Sequence, residues 1–149
     1  MLRSTAIATA VSGTLDIAFA MILTLLYGRE IGSMLRFVGS GPYPAAKEMG
    51  QTGAIVGLFV HFTLMAIMAA AYVLMSRRIP ALVERPIPWG IIYGLLTFVV
   101  MNWMVVPLRF DAPIPGKPLA IATQLFAHVV LVGVPIALIT AHFLRPRTA

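Results

Sequence analysis

The chain has 149 residues, of which 60% are apolar and only 11% charged, and its mean hydropathy is +0.94. A soluble domain carries about 25% charged residues, so this composition excludes an ordinary water-exposed globule. The net charge is +6, from eleven Lys and Arg against five Asp and Glu, and the absence of cysteine excludes disulfides, thiolate metal sites and cysteine nucleophiles.

Four apolar runs of spanning length follow one another, which predicts an all-α, four-helix transmembrane bundle in a single domain. The first run covers about 5–26. Its start, Met1-Leu2-Arg3 with Ala8-Thr9-Ala10 and Ala18-Phe19-Ala20 beyond, has the outline of a secretory leader. However, Asp16 interrupts it and it continues to Leu26, longer than a leader's apolar region, so a retained first span is expected. In the segment after it, about 29–38, Ile31, Met34, Leu35 and Val38 fall at i, i+3, i+4 and i+7. Arg29, Glu30, Ser33 and Arg36 take the other side, the pattern of a short amphipathic helix lying in the interface. It could act as a lid, although a plain cover over the end of the bundle explains the same pattern.

The second, third and fourth runs cover about 53–75, 89–108 and 119–144, each with roughly the 20 residues that cross about 30 Å of hydrocarbon. Gly41-Pro42-Tyr43-Pro44, Pro86-Ile87-Pro88 and Pro113-Ile114-Pro115-Gly116 read as the breakers before them. Pro135 stands inside the fourth run and predicts a kink, because it cannot donate to the Leu131 carbonyl. Placing both termini inside gives that side Arg3, Arg77, Arg78, Arg85, Arg145 and Arg147 against Glu84. The other side then holds Arg29, Arg36, Lys47, Arg109 and Lys117 against Glu30, Glu48 and Asp111. The margin is one charge, and the Arg77-Arg78 pair at a span end decides for cytoplasmic termini. The basic residues sit between or outside the runs, where they suit lipid headgroups; no basic face for nucleic acid is present.

Small residues recur every fourth position: Gly53 and Gly57, Gly90 and Gly94, Gly133 and Ala137, with Ala8, Ser12 and Ala20 in the first run. In lipid such stripes bring helix backbones into dispersion contact. The polar residues share the stripes. Asp16 follows Ser12 by four, His61 follows Gly57 by four, His128 follows Gln124 by four, and Asn102 lies eight beyond Gly94, so all should face the interior of the bundle.

Depth then singles out one layer. At ~1.5 Å per residue, Asp16 lies ~14 Å below the outer edge, His61 ~12 Å, Asn102 ~10 Å and His128 ~13 Å. An ionised carboxylate at that depth costs roughly 3 kcal/mol, so Asp16 must find a partner or be neutral. Asp16, His61, Asn102, His128 and Gln124 are therefore the candidate ligand- or proton-binding residues. A hydrogen-bonded knot that fixes helix register would use the same groups.

Three chemistries suit the layer. A carboxylate with two imidazoles can bind and pass a proton or hold a polar ligand. His61 and His128 from two helices could ligate a haem b, with Gly57 leaving room for the ring, although an aspartate is an awkward neighbour and nothing pairs with the propionates. Asp16, His61 and His128 could form a two-histidine, one-carboxylate metal site. No cofactor is expected on balance. His142, Trp89, Tyr93, Tyr27 and Tyr72 are expected at the interfaces as belt residues, and Trp103 in core or lipid packing. The nine methionines form no copper-binding cluster, and no phosphate loop, nucleophile elbow or zinc-protease helix is present.

Several stretches carry a resemblance. They are Gly13-Thr14-Leu15-Asp16, His61-Phe62 through Tyr72, Arg77-Arg78-Ile79-Pro80, and Gly90-x-x-Tyr93-Gly94. Met101-Asn102 to Val106-Pro107-Leu108, and Ala127-His128 with Val132-Gly133-Val134-Pro135, complete the set. Together they resemble a group of small four-helix bacterial inner-membrane proteins, and more distantly the YagU family. That family likewise pairs a span-two histidine with a span-three Pro-Leu and a span-four histidine. The resemblance implies a multi-pass protein of the bacterial inner membrane and carries no catalytic role onto these positions. The expected partners are the bilayer itself and a second copy or a larger membrane complex. The functional expectation is a binding or proton-handling module, against a non-catalytic accessory subunit whose polar layer only sets packing. A transport pathway would require an oligomer.

Overall fold

The computed structural model describes residues 1–114 and 116–145; Pro115 of the last breaker and Arg147 of the expected inner basic set lie outside them. Among the described residues the chain is all-α. Four helices are long and apolar enough to cross a membrane: α1 (Leu2–Leu26), α3 (Gly50–Ser76), α5 (Pro86–Phe110) and α6 (Pro118–Leu144). Two short helices join them, α2 (Ile31–Gly39) and α4 (Ala81–Glu84), with a 3-10 turn at Pro44–Lys47. The spans are a few residues longer than expected. Two of the extensions have one cause, since Pro86 and Pro118 stand in the first turns of α5 and α6 instead of before them. A first-turn proline loses no hydrogen bond there and has its φ already set for the helix.

The apolar core fills the half of the bundle away from α2. It is built from Ala8 of α1, Met65, Ala69 and Tyr72 of α3, Leu82 of α4, Tyr93 of α5, and Val132, Ile136 and Ala137 of α6. Tyr72 and Tyr93 correct an expectation, because they are core residues and not belt residues. Tyr72 is 0% exposed and donates to the Leu82 carbonyl at 3.2 Å. Tyr93 donates to the Met68 carbonyl at 2.8 Å, and the two rings meet edge to face at 5.0 Å. Each hydroxyl thus finds a backbone acceptor, which is what allows a tyrosine to be buried in an apolar core. Tyr27 and Trp103 are each about half-exposed.

The glycine stripes divide their work. Gly90 and Gly94 receive the backbone of α6 at Gly133 and His128–Val129, close enough that a Cβ on either would strike backbone. Gly53 and Gly57 face no other span: Gly57 lies against the Leu35 carbonyl and Gly53 against that of Ala46. Helix α2 is therefore pressed onto α3 through bare backbone. Its polar side is closed on itself, with Arg36 3.3 Å from Glu30 and Ser33 bonded to Glu30.

Both α5 and α6 contain a π-helical stretch, at Val100–Val105 and Ala127–Gly133. Each ends two residues before a proline, Pro107 and Pro135. A helical proline has no N–H and its ring crowds the carbonyl four residues back, so the preceding turn widens to an i→i+5 pattern. The distortion expected at Pro135 is thus present as a π stretch, and Pro107 produces a second one that the sequence reading did not anticipate.

Candidate functional site

Asp16 sits at the middle of α1 on a four-residue ladder, Ser4, Ala8, Ser12, Asp16, Ala20 and Thr24, most of which is buried. Across from it, the stripe of α3 that begins at Gly53 and Gly57 continues through His61 and Met65. The two helices approach where Gly13 lies against the Phe62 ring. This brings His61 onto α1. Nε2 is 2.9 Å from the Gly13 carbonyl oxygen, and Nδ1 is 3.9 Å from Asp16 Oδ2. The side chains retain 9% and 18% of their exposure, so the pair is largely shielded.

The Gly13 contact assigns the tautomer. A carbonyl only accepts, so Nε2 carries the hydrogen. In the neutral ring Nδ1 then presents a lone pair towards Asp16. A lone pair facing a carboxylate is repulsive, and one proton placed on either group removes the repulsion. The 3.9 Å separation is longer than a hydrogen bond, so transfer between the two requires a closure of about 1 Å.

His128 enters from α6 inside its π stretch. Its Nδ1 is 3.0 Å from the Gln124 carbonyl, which leaves Nε2 as the acceptor, and its ring stands edge-on to Phe98 at 5.9 Å. Of the expected layer members, Asp16 and His61 are in contact, and His128 stands on α6, which packs against α1. Asn102 does not join them, because its amide turns back to the Phe98 carbonyl of its own helix at 3.2 Å. Gln124 contributes its carbonyl to orient His128, while its residue lines a separate cavity.

That cavity, of 520 Å³, lies between the α2-side halves of α1 and α6 and is lined by Ala20, Thr24, Arg29, Lys117, Thr123 and Gln124. Ala20 is one turn from Asp16, and Gln124 one turn from His128. Phe19 and Phe126, with ring centroids 5.2 Å apart, stand between α1 and α6 at the same level. On the opposite side of Asp16, the hydroxyls of Ser4 and Ser12, and of Thr140 on α6, are buried with no hydrogen-bond partner among the described residues. Sequence reading missed this asymmetry, although the ladder of small and hydroxyl residues was the signal for it. A larger cavity of 660 Å³ lies at the far end against Arg77 and Arg78 and touches none of these groups.

Nε2 of His61 is held at the Gly13 carbonyl, while Nδ1, 3.9 Å from Asp16, makes no hydrogen bond. Among the described residues, no three His, Cys, Asp or Glu side chains come together as a metal-holding group. His142 is exposed near the end of α6, as expected of an interfacial residue.

These elements define an all-α chain with four helices long and apolar enough to cross a membrane, and with Asp16 and His61 in contact between α1 and α3. Comparison with protein-family models, with curated proteins and with solved structures finds no match.

Proposed function

We propose that the chain is a membrane-embedded proton-binding module whose acceptor is the Asp16–His61 pair, with His128 as the second imidazole. The observation that supports this reading is the tautomer of His61. With Nε2–H committed to Gly13, one proton placed on Nδ1 or on Asp16 relieves the repulsion between the lone pair and the carboxylate. A bare carboxylate in hydrocarbon costs several kcal/mol, so the occupied and empty states of the pair differ strongly in their demands on the surroundings. The 520 Å³ cavity at the end bearing Arg29 and Lys117 reaches Ala20 and Gln124, one turn from Asp16 and from His128. The unpartnered hydroxyls of Ser12 and Ser4 continue the polar ladder of α1 in the other direction. The resemblance to the inner-membrane group is consistent with residence in the bacterial inner membrane with cytoplasmic termini, and Arg77-Arg78 favours the same orientation.

The test is pH-difference infrared spectroscopy of the protein reconstituted in liposomes. A protonated carboxyl C=O band that titrates, disappears in Asp16→Asn and changes frequency in His61→Gln supports the module. A carboxyl signal that is insensitive to pH, with Asp16→Asn folded and otherwise indistinguishable, overturns it in favour of a packing knot in an accessory subunit.

A further inference from the structure

A second cavity, of 460 Å³, opens sideways between α2, α3 and α5, away from the Asp16 layer. Its wall is apolar from Phe37 and Val38 of α2 across Val60 and Leu64 of α3 to Met101 and Val105 of α5. From Arg109 at the rim to Met101 at depth the groove runs eight residues along α5, about 12 Å. Met101 and Val105 belong to the π stretch, which reshapes this wall. The rim is cationic. The Arg109 guanidinium is fixed by the carbonyls of Gly41 and Ser40, to which Nε and Nη2 donate. Both Nη1 hydrogens then remain without a protein partner among the described residues. Lys47 Nζ stands 5.9 Å from the rings of both Phe37 and Phe110, which stack at 4.3 Å and belong to the wall. Among the described residues, neither cation lies within 4.0 Å of a carboxylate oxygen, whereas Arg36 is paired with Glu30.

A long apolar slot in a membrane protein, capped at one end by two uncompensated cations, is complementary to an amphiphile with one negative head. We propose that this groove binds one anionic phospholipid of the surrounding bilayer. The phosphate sits at Arg109 and Lys47, and one acyl chain runs along Val60, Leu64, Met101 and Val105. Headgroup charge supplies the selectivity and the slot supplies the residence of the chain. The proposal is independent of the proton reading, since it uses none of the Asp16, His61 or His128 groups.

The experiment uses the full chain, purified and stripped of lipid in detergent, then titrated with phosphatidylglycerol or with phosphatidylcholine of the same acyl chains. Bound lipid is counted by native mass spectrometry. One phosphatidylglycerol is expected to bind in preference to phosphatidylcholine, with about a fivefold loss of affinity for each cation removed in Lys47→Gln and Arg109→Gln. Leu64→Trp, which fills the slot and keeps both cations, is expected to abolish the preference. Because Arg109 also ties down the end of α2, an Arg109→Gln protein that does not fold leaves the decision to Lys47→Gln and Leu64→Trp. Equal binding of the two lipids overturns the proposal. So does an unchanged preference in Leu64→Trp, displacement of the lipid by glycerol phosphate alone, or a dimer whose second copy covers the groove and excludes the lipid.

Discussion

Gly94 and His128 meet backbone to backbone: a Cβ on Gly94 would lie 2.5 Å from the His128 carbonyl oxygen and 2.6 Å from Val129 Cα. The imidazole therefore takes its position from the closeness of α5 and α6 as well as from its own helix. Gly94→Ala is expected to force the helices apart at a cost of about 1–3 kcal/mol and to move His128 away from Asp16. Unfolding in detergent micelles reads the first effect, and the nitrogen chemical shifts of His128 read the second. An alanine that left both unchanged would contradict the crossing described here.

Removing either member of the Asp16–His61 pair leaves the other without its partner, and the two losses should not add. His61→Ala and Asp16→Asn are each expected to destabilise the protein, with the double variant less damaged than the sum by about 0.5–3 kcal/mol. Strict additivity in that cycle would mean that the 3.9 Å contact carries no coupling.

Pro135→Ala restores an N–H that can donate to Leu131, and a helix-interior proline costs about 3 kcal/mol. The variant is expected to be at least as stable as the parent. The π stretch should relax towards α geometry and rotate His128 relative to the core residues Ile136 and Ala137. Unchanged His128 resonances in Pro135→Ala would show that the stretch is held by packing and not by the proline.

The link between α3 and α5 hangs on two side chains. Arg145 donates to the carbonyls of Val83 and Glu84 at 3.1 and 2.9 Å, while the Tyr72 hydroxyl reaches that of Leu82. Tyr72→Phe is expected to cost about 0.5–1.5 kcal/mol, and Arg145→Gln to speed amide exchange through residues 81–85 without affecting the end that carries α2. Hydrogen exchange followed by mass spectrometry separates the two.

The spans and the amphipathic segment were legible because period and length are properties of the sequence itself. The meeting of Asp16 and His61 was legible for the same reason: position on a four-residue stripe and depth along a helix suffice to place a Cα. What a side chain does from that Cα is another matter. Asn102 lies at a suitable depth, yet its amide bonds to Phe98 of its own helix, a local acceptor that competes with any partner across the bundle. Tyr72 and Tyr93 look like belt residues by distance from a span end. They are buried because carbonyls at Leu82 and Met68 satisfy them, and those acceptors depend on how α4 and α3 are placed. Gly53 and Gly57 announce close packing without saying against what; the partners are Ala46 of the 3-10 turn and Leu35 of α2. Pro107, near the end of its span, removes a backbone hydrogen bond, and a π stretch precedes it as one precedes Pro135.

The two π stretches bear on length tolerance. An i→i+5 ladder holds more chain per turn than an α-helix, so α5 and α6 carry spare residues within their spans. Deleting one residue from 127–133 or from 100–105 can be absorbed by return to ordinary helical winding, with the ends of the helix left at their original depths. The same deletion in α1, which runs without such a stretch, must turn one half of the Ser4–Thr24 ladder away from the other. Single-residue indels are therefore expected to be tolerated in the last two spans and not in the first.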